Sequence, residues 1–386
     1  MNSTPLLSRF PQELIDMVIR KNETDFPTLR SCSLVCRAFL SPSQACIFLE
    51  VELIPKESRV PRCQQLHNIL VDSPHPRSYV RTLEITEGYS DLRWLTQDTN
   101  SLAVMGILQC LKSVRFLSLS AMWCDLPKNL RTSICELCKK SDIDYLYLDI
   151  GRIGLADFSQ LVAPTSLTRL GMPMVVLPTP DEGEEVPLAK LPRLKTCSFW
   201  LHPSSLAVVA KWLVNKDALA NLHIMWYQEW QLQMLQNILD AHMSNLRELS
   251  LVFLYCIDEP VFRLPVALSL VQLKTIHSVK IEFEQHPEGV SLWLARLLES
   301  SPPSLTKFGA EINFKADCLL DIDWAPLRNV VTLENFPVLV IFQVEIIPST
   351  RIENNTALRL VKTIQNTLPW LHERGILRCK VLSPNE

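Results

Sequence analysis

Val114–Leu119, VRFLSL, and Ile143–Leu148, IDYLYL, carry the same device: an apolar residue, two intervening residues, a second apolar residue, one more, and a third. The last three positions alternate, and alternation is the period of a half-buried strand. The triplet recurs on both sides, at Phe48/Val51/Leu53, Val80/Leu83/Ile85, Leu167/Leu170/Met172, Leu194/Cys197/Phe199, Leu219/Leu222/Ile224, Leu246/Leu249/Leu251, Ile276/Val279/Ile281 and Leu305/Phe308/Ala310. Along the chain the starts are spaced 32, 34, 29, 24, 27, 25, 27, 30 and 29 residues apart. One strand per unit at such a period is the mark of a leucine-rich-repeat solenoid. The Asn that usually follows the third apolar position is missing, so the turn must be tied down otherwise.

Helical periodicity fills the gaps, at 63–71, 101–110, 129–139, 205–214, 231–242 and 290–299. Strand then helix, repeated over connections this short, predicts an α/β fold with a parallel sheet on one face and helices on the other. Two stretches break the rhythm. PTPDEGEEVP, 178–187, reads as an exposed loop, and 330–386 reads as a terminal segment with a strand in 338–347, a helix over 356–373 and a strand in 376–382. That segment is expected to cap the open sheet.

The stretch before the first triplet is different. Pro11 and Glu13 open a helical pattern whose apolar residues Leu14, Ile15, Val18 and Ile19 cluster on one side, with Met17 at the margin. Asp25 and Pro27 start another, carrying Leu29, Cys32, Val35, Cys36 and Phe39, which Pro42 is expected to end. Helices this short are stable only when packed. The expected organisation is therefore a three-helix module over 1–47, repeats over 48–329 and the terminal segment over 330–386.

FPQELIDMVI followed by SLVCRAF resembles the F-box as found in the proteins expanded in mushroom-forming fungi. The helix followed by HERGIL near residue 372 also resembles the chain ends of those proteins. The F-box resemblance implies docking onto the S-phase kinase-associated adaptor subunit of a cullin-type ubiquitin ligase. Carried over by position, it marks Pro11, Glu13, Leu14, Ile15, Val18, Ile19, Leu29, Leu34, Val35, Cys36, Arg37 and Phe39. The alternative is an interaction scaffold whose F-box-like helices only cover the end of the array, with the Leu14 to Ile19 stripe buried against the first repeat.

Composition narrows the remaining classes. A net charge of −3 in 386 residues offers no basic footprint for nucleic acid or anionic membrane, and the longest apolar run is too short to span a bilayer. No secretory pattern opens the chain, so a cytoplasmic or nuclear protein is expected. Twelve cysteines then read as small buried apolar residues. The close pair Cys135 and Cys138 is expected to lie on one helix face, with no second pair at zinc-ligand spacing. No nucleophile elbow, phosphate-cradling glycine loop or zincin motif is present, so neither catalysis, cofactor nor metal is expected.

Recognition is the expected role. Residues between the apolar strand positions should face a partner. Tyr145, Tyr147, Trp200, His223 and Glu248 are the candidates for holding a target protein, the aromatic types being those that anchor interfaces.

Overall fold

In the computed structural model the described residues are 11–54, 62–87, 94–178, 194–201, 205, 208–209, 219–226, 231–240, 245–253, 268–283, 289–314, 323–348 and 354–382. The acidic loop after Pro178, and all of the expected helix 205–214 but a few residues, lie outside them.

Three helices come first: α1 (Gln12–Arg20), α2 (Phe26–Val35) and α3 (Arg37–Ile47). Pro11 stands just before α1 as its N-cap, and Asp25 caps α2 by accepting from Thr28 N at 3.2 Å and Thr28 Oγ1 at 2.7 Å. Those two bonds hold the Asp25 carboxyl below its usual pKa. Pro42 does not end a helix. The break falls at Cys36, whose extended backbone (φ −164°, ψ 169°) separates α2 from α3, and Pro42 lies inside α3. A proline there deprives the carbonyl four residues earlier, that of Ala38, of its helical donor. Gln12 Nε2 of α1 supplies one at 3.0 Å.

Twelve parallel strands follow among the described residues, in chain order. The first ten are β1 (Glu50–Leu53), β2 (Thr82–Thr86), β3 (Phe116–Ser120), β4 (Tyr145–Asp149), β5 (Arg169–Val175), β6 (Thr196–Leu201), β7 (Asn221–Trp226), β8 (Glu248–Phe253), β9 (Ser278–Phe283) and β10 (Lys307–Phe314). Each coincides with one of the ten triplets. β11 (Ile341–Pro348) and β12 (Leu377–Val381) extend the series, with the same spacing at Leu339/Phe342/Val344 and Ile376/Cys379/Val381. Between strands run α4 (Arg62–Asp72), α5 (Asp98–Cys110), α6 (Lys128–Lys140), α7 (Leu155–Leu161), α8 (Gln231–Asp240), α9 (Val290–Glu299), α10 (Ala325–Val330), α11 (Asn354–Thr367) and α12 (Pro369–Glu373).

The chain forms two compact units, residues 1–170 with 186–192, and 171–185 with 193–386. In the first, β1 to β4 pair in register, so Val51, Leu83, Leu117 and Leu146 form one buried row and Leu53, Ile85, Leu119 and Leu148 the next. Burying each such side chain stabilises the fold by ~1.5–3 kcal/mol, which is why the triplet recurs. Cys135 and Cys138 lie together on the buried face of α6, as read from their spacing. In the second unit, β6 to β12 pair likewise, with Cys197, Leu222, Leu249, Val279, Phe308 and Phe342 in one inner row. Phe308 and Phe342 stack at 5.1 Å, and Trp293 of α9 meets Phe253 and Phe283 edge-on at 5.1 and 5.9 Å.

In place of the missing Asn, indoles and neighbouring backbone tie down the turns of the first unit. Trp94 Nε1 donates to Thr86 O at 3.0 Å, Trp123 Nε1 to Asp157 Oδ2 at 2.8 Å, and Glu87 N to Ser120 O at 2.7 Å.

Candidate interaction surfaces

The apolar stripe of α1 consists of two adjacent ridges, and the structure separates them. Ile15 and Ile19, one turn apart, are buried with Leu29 of α2, and Cys32, Ala38, Phe39, Cys46 and Ile47 pack around them. The buried ridge is thus closed by the module's own helices. The other ridge, Leu14, Met17 and Val18, stays open, with Leu14 46% and Val18 56% exposed. At the far end of α2, Leu34 is 86% and Val35 61% exposed. Pro11 and Glu13 are exposed, and Cys36 and Phe39 are half-buried. The sequence treated all these apolar positions alike; Met17, set at the margin by the helical wheel, belongs to the open ridge. With Phe26 and Leu40, also exposed, seven large apolar side chains lie in water among the described residues of so small a module, more than scattered surface residues account for.

The second candidate surface is the polar face of the strands. Strands such as β2, β3 and β4 alternate buried and partly open residues, so the open ones form rows across neighbouring strands. In the first unit the rows are Glu50, Thr82, Phe116, Tyr145 and Glu52, Glu84, Ser118, Tyr147. Tyr145 is held from both sides. Its ring lies 4.8 Å from that of Phe116, and the Arg169 guanidinium carbon stands 4.8 Å above it while Arg169 pairs with Asp144 at 2.9 Å. Tyr147, two residues on, is half-buried on the same face. Burial raises the Glu84 pKa, and the charges of Glu52 and Glu50 raise it further.

In the second unit Trp200, His223 and Glu248 come from three successive strands. His223 stands between Ser198 and Ser250 in register, and its Nδ1 lies 2.7 Å from Ser250 Oγ. Burial holds its imidazole pKa below the usual value against the pull of Glu282. Trp200 pairs with Met225, one row along, and Glu248 is exposed beside Asn221. Farther on, Lys280 bonds Glu282 and Glu311, the latter at 3.2 Å; burial lowers its pKa, but the two carboxylates outweigh that and raise it. Arg169 and this lysine-glutamate bridge were not among the candidates read from sequence. Their signal exists only in the strand register.

Among the described residues there is no group of three or more His, Cys, Asp or Glu placed to hold a metal, and no helix long and apolar enough to cross a membrane. The arrangement offers surfaces for contact.

No family model and no curated protein matches the chain. Among solved structures, it is similar to the leucine-rich repeat-containing protein LegL7 from Legionella pneumophila, at 17% identity, over 67% of this chain and 82% of that one, with a TM-score of 0.36. The repeat architecture described above stands on the strands, their register and the buried rows of this chain itself.

Proposed function

We propose that this protein is a non-catalytic substrate-recruiting subunit of a cullin-type ubiquitin ligase. In this reading α1 to α3 dock the S-phase kinase-associated adaptor subunit, and the polar strand faces hold the target. The observation that carries it is the open ridge: Leu14, Met17 and Val18, with Leu34 and Val35, remain in water although the module already has a closed core of its own around Ile19 and Leu29. An apolar helix ridge of this kind fits into the groove of a helical partner. Leu14, Val18, Leu34 and Val35 would make the contact, Ile15, Ile19 and Leu29 would hold the helices in place, and Pro11, Glu13, Cys36 and Phe39 would shape the edges. The protein would work in the cytoplasm or nucleus, where such ligases act, and would raise the target's effective concentration near the ubiquitin-loaded enzyme.

Target binding is assigned to Tyr145 and Tyr147 in the first unit and to Trp200, His223 and Glu248 in the second. Each set is half-open or exposed on the strand face of its own unit.

Co-purification of the full chain with the adaptor subunit tests the first assignment, beside a Leu14→Asp, Val18→Asp variant. Both side chains are exposed, so the variant should keep its helical circular dichroism while losing the adaptor. Failure of the wild type to capture the adaptor would leave the helices as the end piece of an interaction scaffold. For the second, Tyr147→Ala and Trp200→Ala should each reduce recovery of ubiquitinated targets with adaptor capture unchanged.

A further inference from the structure

The two edge strands of this array are made of complementary chemistry. β12 forms the edge of the second unit, and no described strand pairs with its outer side. Ile376 O accepts from Phe342 N, and Leu382 N donates to Ile346 O. In a parallel ladder each residue directs both of its backbone groups to one side, and successive residues alternate. Those two bonds therefore turn Ile376, Arg378, Lys380 and Leu382 toward β11, and they turn the N–H and C=O of Leu377, Cys379 and Val381 outward. The same three residues carry the inner, apolar side chains of the strand. They are only half-buried, whereas their register partners Phe342, Val344 and Ile346 on β11 are buried. The polar face at this edge presents Arg378 and Lys380, both exposed.

β1 is the edge strand of the first unit. Leu49 O accepts from Thr82 N, so Leu49, Val51 and Leu53 bond toward β2, and the backbone groups of Glu50 and Glu52 point outward. This phase is the one that the outer side of β12 needs: apolar residues of the preceding strand bonded to polar-face residues of the next, as from β1 to β4 and from β6 to β12. Glu50 and Glu52 are exposed where β12 has Arg378 and Lys380. Burial and the charges of Glu52 and Glu50 both raise the pKa of Glu84 beside them.

We propose that β12 of one copy pairs in parallel with β1 of a second copy, joining molecules head to tail. The register places Arg378 beside Glu50, Cys379 beside Val51, Lys380 beside Glu52 and Val381 beside Leu53. Opposite charges then face each other across the junction, and Lys380 stands between Glu345 of its own β11 and Glu52 of the neighbour. An antiparallel β12 to β12 dimer would instead set Arg378 against Lys380, a like-charge contact. A head-to-tail junction leaves a free β12 and a free β1 at its ends, so assembly continues into a ring or an open chain.

Sedimentation velocity and light scattering on the full chain, from ~1 to ~100 μM, span the range in which a small interface associates. At low salt the weight-average mass should rise above 44.1 kDa with concentration, and it should fall back at high salt. Arg378→Glu with Lys380→Glu makes both edges acidic, and Glu50→Lys with Glu52→Lys makes both basic. Each variant alone should stay monomeric, with circular dichroism unchanged, and an equimolar mixture should associate again.

A wild type that stays monomeric overturns the proposal, as do variants that assemble like it or a mixture that fails to. A monomeric wild type that binds a synthetic LEVELI peptide at β12 would assign the edge to a strand of another protein, and would equally overturn pairing between copies. Adaptor capture through Leu14 and Val18 should be the same for all these variants, so the outcome is separable from the ligase reading.

Discussion

Trp123 Nε1 donates to Asp157 Oδ2 at 2.8 Å, fastening the turn after β3 to α7 of the following repeat. The indole is 1% exposed, so its N–H has no route to water, whereas Asp157 is also approached by Arg131 at 3.5 Å on the open side.

Asp157→Ala should therefore destabilise the chain by about 1–3 kcal/mol, the cost of a buried donor left without its acceptor. Asp157→Asn keeps an acceptor oxygen and loses only the charge. With Arg131 partly exposed that ion pair contributes ~0–1 kcal/mol. Urea midpoints of the two variants should differ in that order. Equal losses would mean that the ion pair, and not the indole bond, holds the turn.

Gly106 and His67 form a second tight pair, between α5 and α4. A Cβ on residue 106 would lie 2.3 Å from His67 Nε2 and 2.6 Å from its Cδ2. Gly106→Ala gains ~1 kcal/mol of helix propensity but forces the imidazole aside, at ~1–3 kcal/mol. The expected result is net destabilisation that turns into stabilisation in a His67→Ala background. A double-mutant cycle with the same sign in both backgrounds would refute the steric account.

Gln12 and Pro42 make a third prediction. Because Gln12 Nε2 serves the Ala38 carbonyl that Pro42 leaves without a helical donor, Gln12→Ala should cost ~0.5–1 kcal/mol. In a Pro42→Ala chain the helix supplies that donor itself, and the cost should fall toward zero. Thermal unfolding of the four combinations would measure it.

The cysteines predict a pattern of reactivity and a pH dependence. Burial pushes the Cys135 thiol up to about 11, with Asp157 adding to it, and burial drives Cys138 and Cys197 higher still. In the native protein near pH 8 an alkylating reagent should modify the exposed Cys124 well before these three, as read by mass spectrometry. A thiol whose folded pKa is raised binds its proton more tightly in the folded state. Stability should therefore decline as pH rises above about 9, where the unfolded thiols ionise, and for Cys135 the decline should continue to about 11. Rapid native labelling of Cys135 would refute its burial.

Much of this fold is legible as text. All ten triplets became strands because the period-2 alternation of a half-buried strand is a local property, with each residue's face fixed by its neighbours' spacing. The strands expected in 338–347 and 376–382 are present as β11 and β12, but the near-continuous apolar run of the first hides its alternation, so that they carry the triplet spacing on is plain only from their register. Pro42 lies inside α3 where the local pattern predicts a helix end, because a proline's cost depends on whether another group serves the carbonyl it strands, and Gln12 is thirty residues away in sequence.

The candidate surfaces divide in the same way. Sequence alone determined that α1 carries more apolar surface than one contact can cover, and that the residues between the apolar positions of each triplet share a face. Only the tertiary structure decided that Ile15 and Ile19 go inside while Leu14 and Val18 stay out, that Arg169 covers Tyr145, and that Arg378 and Glu50 stand on opposite edge strands. Alternation and helical period follow from the backbone of each segment by itself, whereas which of two equal ridges is covered, and which charge meets which, depends on the elements that pack against them.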